Sequence, residues 1–282
     1  MTTSEHIIKV GSLQWFYREA TPKRESDKPP VLLLHGLPSH SLCWTGLMPG
    51  LAEKGFRAIA PDWIGSGSSA KPDKRDFAYT PDAFVDVLAA FVDKLDLQYF
   101  SLVVQGFLAS VGLQYALRYP DKIDRLAIFN TPISTSAKLP WAMQQWGVPF
   151  MGDILTQDPL LVDRTLEKGC GYTIVDKDLD IYRQPFLKSS DVGRSLLATV
   201  QNLQMKQAMA EIETGFHQWT KPTLVVWGMK DRWLPFSPVQ QFVDRLKQVE
   251  VVQLEEGGHY PQEHWSGEIN DTLQTFLRRQ MI

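Results

Sequence analysis

The sequence predicts an α/β protein: a mostly parallel eight-stranded sheet with helices on both faces and an inserted helical cap. Three observations lead there. Short apolar runs alternate with helical patterns over most of the chain, as expected of parallel strands joined by helical crossovers. Val31–Leu34 is apolar without alternation, so that strand is buried on both faces. Between Pro132 and Trp219 the rhythm breaks: no strand pattern occurs, several helical ones do, and then Thr223–Trp227 resumes as a strand. The expected organisation is therefore a core of residues 1–131 and 217–282, with a helical cap of residues 132–216 inserted after the sixth strand.

The elements follow in order. Ile7–Val10 and Leu13–Ala20 form a strand pair turned at Gly11-Ser12, and residues 21–30 are a polar loop. Val31–Leu34 ends at His35-Gly36. Trp44–Lys54 is a helix closed by Gly55, and Phe56–Ala60 is a strand stopped by Pro61-Asp62. Residues 65–76 are loop. Thr80-Pro81-Asp82 opens a helix with an N-cap, a proline at N1 and an acid in the first turn. Phe84, Val87, Leu88, Phe91 and Val92 give that helix one apolar face. Tyr99–Gln105 is a buried strand, Phe107–Tyr119 a buried helix, and Ile123–Phe129 a strand ending at Asn130-Thr131-Pro132. After the insertion come Thr223–Trp227, a helix over Phe236–Lys247, a strand over Glu250–Leu254 and a closing helix from Gln262 to Arg279.

Composition removes several function classes. A chain that is 44% hydrophobic and 22% charged is not a disordered one. A net charge of −3 and the lack of a dense basic cluster argue against nucleic acid as a partner. No apolar run reaches the roughly 18 residues of a membrane span. Glu5, His6 and Lys9 interrupt the first ten residues, which lack the apolar core of a secretory signal. Two cysteines, Cys43 and Cys170, are too few for a disulfide framework or a structural zinc site, so a reduced cytoplasmic compartment is expected. No metal-ligand spacing and no nucleotide-binding glycine pattern occur, so neither metal nor cofactor is expected. The sequence carries no signal for an oligomeric state.

Four segments carry the chemistry: His35-Gly36-Leu37-Pro38, the run from Pro61-Asp62-Trp63 to Ser68, Trp227-Gly228-Met229-Lys230-Asp231, and Gly257-Gly258-His259-Tyr260-Pro261. In this order and spacing, over nearly the whole chain, they resemble the α/β-hydrolase fold superfamily with a helical cap. The nearest resemblance is to its haloalkane dehalogenase and epoxide hydrolase branch. The resemblance implies that Asp231 orients His259 and stabilises its cation. Alone, Asp231 reads as a turn residue and His259 as a loop histidine; the ordered set favours the pair. Glu263 and His264 are expected on the surface of the final helix, and Asp62 is expected to brace a strand end.

The resemblance also implies an oxyanion site of backbone N–H groups at Leu37 and Phe107, the latter at a helix N-terminus. The nucleophile position falls at residue 106, within Val103-Val104-Gln105-Gly106-Phe107-Leu108-Ala109, and it is glycine. Glycine offers no atom for attack and relieves elbow strain. Two residues before and after it stand Val104 and Leu108, where such elbows carry small residues. Removing a carboxylate there leaves room that a water could fill. Ser101, Ser110, Cys43 and Cys170 offer no convincing substitute. Phe107 also lacks the indole donor that holds a leaving halide in dehalogenases. Trp141, Trp146 and Tyr172 are expected to line a pocket for a small, largely apolar molecule. Cap tyrosines serve epoxide hydrolases as acids, and Tyr172 and Tyr182 lie in the right region. The expected function is base- or water-mediated chemistry without covalent catalysis. The alternatives are a catalytically inactive ligand-binding protein, or hydrolysis with a nucleophile elsewhere.

Overall fold

A computed structural model describes residues 3–279, so the expected core limits at residues 1 and 282 lie outside it. The strands are β1 (Ser4–Val10), β2 (Leu13–Ala20), β3 (Val31–Leu34), β4 (Ala58–Pro61), β5 (Phe100–Gln105), β6 (Ile123–Phe129), β7 (Thr223–Gly228) and β8 (Val249–Leu254). They form one sheet in the order β1-β2-β4-β3-β5-β6-β7-β8. β2 pairs antiparallel with both β1 and β4, and every other pairing is parallel. β3, β5 and β7 are buried along their whole length, whereas the edge strand β8 is only partly covered. That contrast is what two-sided helical cover of a central parallel sheet produces.

The helices of the first half are α1 (Met48–Glu53), α2 (Pro81–Lys94) and α3 (Ser110–Arg118). The expected helix over Trp44–Lys54 divides into a 3-10 turn, Ser41–Trp44, and α1. Pro49 explains the break: without an N–H it sits best in a first turn, so the α-helix restarts there. α2 starts as its sequence demands, with the Thr80 hydroxyl accepting from the Ala83 N–H at 3.3 Å. α3 begins at Ser110, so Phe107 does not head a helix. Residues 107–112 instead make i→i+3 bonds, Ser110 to Phe107, Val111 to Leu108 and Gly112 to Ala109, which tighten the turn before the helix.

Between β6 and β7 lie only helical elements: α4 (Trp141–Gln144), α5 (Met151–Leu155), α6 (Leu160–Cys170), α7 (Asp176–Lys188), α8 (Asp191–Asn202) and α9 (Met205–Gly215). α10 (Phe236–Val243) stops short of Lys247, because i→i+3 bonds at Arg245 and Leu246 close it. The expected last helix is two, α11 (Pro261–His264) and α12 (Ser266–Arg278), broken at Trp265.

The bulk of Val104 is absorbed by a glycine in the first turn of α3. A Cβ on Gly112 would stand 2.7 Å from Val104 Cγ1 and 2.8 Å from Leu34 Cδ1. α3 thus lies directly on β3 and β5. Overfilling such a contact costs roughly 1–3 kcal/mol. Gly112→Leu is therefore expected to lower the unfolding free energy by at least about that much, read from urea midpoints.

Candidate active site

The carboxyl ends of β3, β5, β6, β7 and β8 converge, and the chain changes direction between β3 and β5. Such a switch point is where open α/β sheets hold their ligands. Asp231 follows β7 by three residues and is buried. Its Oδ1 accepts from the Trp233 and Leu234 N–H groups at 2.8 and 3.1 Å. Its Oδ2 accepts from Asn130 Nδ2 at 2.8 Å and faces His259 Nδ1 at 2.8 Å. Burial works against its charge, but the His259 ring and these donors outweigh it and hold the carboxyl below the usual carboxylate range.

Asn130 was not singled out by the sequence, yet it ties the arrangement together. It sits at the end of β6 with φ +35°, a conformation asparagine tolerates better than most residues. Its Oδ1 accepts from Gly228 N–H at 2.8 Å while its Nδ2 donates to Asp231. The signal was the Asn130-Thr131-Pro132 strand end, a turn-forming cluster at the ligand-binding edge.

His259 is fully buried. Its ring stacks on Phe107 at 5.2 Å and 26° and meets Trp233 at 4.7 Å. With Nδ1 committed to Asp231, Nε2 is left buried and without a partner among the described residues. It points at Gly106. A Cβ built on Gly106 would lie 3.7 Å from Nε2. The same Cβ would lie 2.9 Å from Gly36 Cα, and φ at Gly106 is +86°. The Gly36 backbone thus closes against the turn where a side chain at residue 106 would begin. Neither the Leu37 nor the Phe107 N–H has an intramolecular acceptor among the described residues. Leu37 is fixed through its carbonyl, which accepts from the Tyr260 hydroxyl at 2.6 Å.

Among the described residues no other nucleophile is brought to this point. Ser101 donates to Asp124 at 3.1 Å at the far end of β5, and Ser110 donates to the Phe107 carbonyl at 2.8 Å. Burial pushes the Cys43 and Cys170 thiols up, away from the reactive thiolate. Asp62 braces backbone, accepting from Ser41 and Ser68 N–H at 2.8 and 2.7 Å. Among the described residues no group of three or more His, Cys, Asp or Glu side chains is placed to hold a metal.

The helical segment between β6 and β7 packs against the loop that carries His259. The Gly169 carbonyl accepts from His259 N–H at 2.8 Å, and a Cβ on Gly258 would meet that carbonyl at 2.3 Å. His259, Phe107 and Leu37 are at most 2% exposed. Trp141 and Trp146 share the wall of a groove of about 1050 Å³ in this segment, which Trp233 also lines. Tyr172 is not brought there. It is exposed beside His264 and Trp265, and its hydroxyl donates to the Glu256 carbonyl at 3.3 Å.

Glu263 corrects a sequence expectation. It is not a surface carboxylate: its carboxyl is enclosed on α11 and accepts from the buried Tyr182 hydroxyl of α7 at 2.5 Å. Burial raises its pKa to about 7. Tyr182 is thereby tied to the core side of the junction.

Two expectations follow. A carboxyl raised from 4.5 to about 7 is neutral in both states at low pH, and it disfavours folding as pH rises through that window. Glu263→Gln should therefore match the parent near pH 4 and be the more stable protein by roughly 1–3 kcal/mol at pH 8, read from urea unfolding at both pH values. Asn130→Ala leaves Asp231 and Gly228 short of partners and should cost roughly 1–3 kcal/mol. Because Asp231 is depressed, its contribution is lost as pH falls through its folded pKa. Without Asn130 that acid loss should begin at a higher pH.

The comparisons with known proteins agree with this architecture. Residues 29–153 match the family model of the α/β hydrolase fold. The chain is 27% identical over 275 residues to a cis-3-alkyl-4-alkyloxetan-2-one decarboxylase of Shewanella oneidensis, covering 90% of this chain and 83% of that one. It is 28% identical over 281 residues to a haloalkane dehalogenase of Psychrobacter cryohalolentis, covering 95% and 88%. The crystal structure of a haloalkane dehalogenase from Bradyrhizobium elkani superposes with a TM-score of 0.85 at 27% identity, over 98% of this chain and 97% of that one. By its sheet and by these likenesses the chain has the α/β-hydrolase fold, and it is similar to haloalkane dehalogenases over nearly its whole length.

Proposed function

We propose that this protein binds a small, largely apolar molecule between the core and the helical segment, which acts as a cap over residues 132–216. His259, oriented by Asp231, then serves as a general base without a covalent step. The observation that carries the reading is the buried, unpartnered Nε2 of His259, aimed at a turn whose residue 106 has no side chain. A water held beside Gly106 gives its proton to Nε2 and its oxygen to an acyl carbon. The developing oxyanion takes the free N–H groups of Leu37 and Phe107. When the intermediate collapses, the leaving oxygen receives the proton back from His259. The relatives support the substrate class, since they are named for an alkylated oxetan-2-one and for haloalkanes. Covalent dehalogenation is disfavoured, because Gly106 supplies no carboxylate and Phe107 no indole donor. Trp141 and Trp146 are assigned to the route by which the substrate approaches, and Trp233 stands between that groove and His259. Two free cysteines favour a reduced cytoplasmic setting.

A second reading rests on the same glycine and on the buried site: a catalytically inactive protein that binds the same class of ligand. The parent, His259→Ala and Gly106→Asp should be assayed together against activated esters, oxetan-2-ones, epoxides and haloalkanes. Turnover by the parent that falls by about 100-fold or more in His259→Ala supports the base reading. No turnover by the parent, with retained binding of an apolar probe, establishes the inactive reading instead. Gly106→Asp is expected to lose about 1–3 kcal/mol of stability rather than simply gain a nucleophile, because its Cβ meets the Gly36 backbone at a positive φ.

A further inference from the structure

The helical segment exposes more apolar surface than packing accounts for. Within α4, α5 and their flanks, Trp141 and Ile154 are 75% exposed and Phe150 is 83% exposed, and Met151, Leu160 and Val148 are substantially exposed too. A contiguous patch of this kind marks an interaction surface. Continuity follows from the fold. Trp141 and Met151 themselves line the 1050 Å³ groove, and Ile154 lies three residues after Met151 on the same side of α5.

The charged lining of the groove is of one sign. The groove is lined by Lys138, Arg164, Lys168 and Arg232 and by no carboxylate. Acids also lie close by, and each has a partner. Asp158 pairs with Arg164 and Asp163 with Arg183, while Asp153 and Glu167 accept from the Phe150 and Ile174 N–H groups. Among the described residues Lys138, Lys168 and Arg232 form no ion pair within 4 Å. Three cations without an ion pair thus line the groove whose wall also holds the exposed Trp141 and Met151.

We propose that this face docks on an anionic lipid bilayer surface. The apolar side chains enter the boundary between headgroups and acyl chains, and the cations meet the lipid phosphates. No described helix is long and apolar enough to cross a membrane, so the contact is peripheral. A second copy fits less well, since a two-fold contact through this groove would bring its unpaired cations together. A single bound amphiphile would leave Phe150, Ile154 and Leu160, which lie outside the groove lining, uncovered. The proposal does not depend on the assigned chemistry, because its readout is binding.

The test is co-sedimentation of the full chain with large vesicles, one set of phosphatidylcholine alone and one with about a third phosphatidylglycerol. Binding to the mixed vesicles at low salt, weakening steeply as salt is added, is the expected result. Lys138→Gln with Lys168→Gln should weaken it roughly thirty-fold, at about fivefold per cation. Phe150→Gln with Ile154→Gln should weaken it on both vesicle types. The variants alter exposed positions, and matched thermal unfolding confirms that they fold. Absence of binding to the mixed vesicles overturns the proposal, as does equal binding to both vesicle types. Sedimentation velocity showing a dimer that Phe150→Gln dissociates, without vesicle binding, assigns the face to a second copy and also overturns it.

Discussion

A carboxylate held in the interior sets the terms for this end of the molecule. Asp231 cannot stay charged away from water unless donors surround it, and they come from three separate places: the end of β6, the loop after β7 and the ring of His259. Each donor requires its strand to end at the right level. Asn130 meets that requirement for β6 and, by bonding Gly228, fixes β7 beside it. The Gly228 turn then presents Asp231, and the loop after β8 presents His259. The site geometry and the sheet register are thus one constraint seen at two scales.

The neighbouring constraint is a close approach of two backbones. Gly36 and Gly106 face each other across the switch between β3 and β5, with no side chain on either. This turn leaves free N–H groups at Leu37 and Phe107 and a bare face opposite His259. A site so built offers a proton acceptor and anion-binding donors but no atom to form a covalent bond. Under the proposed function, a water or the substrate itself supplies the nucleophile. The packing that would resist a side chain at residue 106 is backbone, so it cannot relax by a rotamer change.

The helical segment is joined to the core by polar as well as apolar contacts. The Gly169 carbonyl takes the His259 N–H, and the Tyr182 hydroxyl lies against the Glu263 carboxyl. The first couples the segment to the histidine that carries the proposed chemistry. The second places a group that titrates near neutrality in the same junction. Both are buried hydrogen bonds, whose loss costs most when a partner is left unsatisfied.

Local sequence settled the alternation of strands and helices, the buried character of β3, the Thr80 start of α2 and the helical nature of the insertion. Each depends on periodicity, capping chemistry or proline and glycine within a few residues. The pairing of Asp231 with His259 was legible at longer range, because the strand ends that carry them share one sheet edge. What local pattern could not supply were contacts made by folding. Asn130 looked like an ordinary turn residue because its partners lie 98 and 101 positions away. Glu263 looked exposed because it sits near the C-terminal helix, and only Tyr182, 81 residues earlier, covers its carboxyl. Phe107 fell outside α3 because residues 107–112 make i→i+3 bonds before the helix begins. Burial and long-range hydrogen bonding belong to the assembled chain, and no short window of residues carries them.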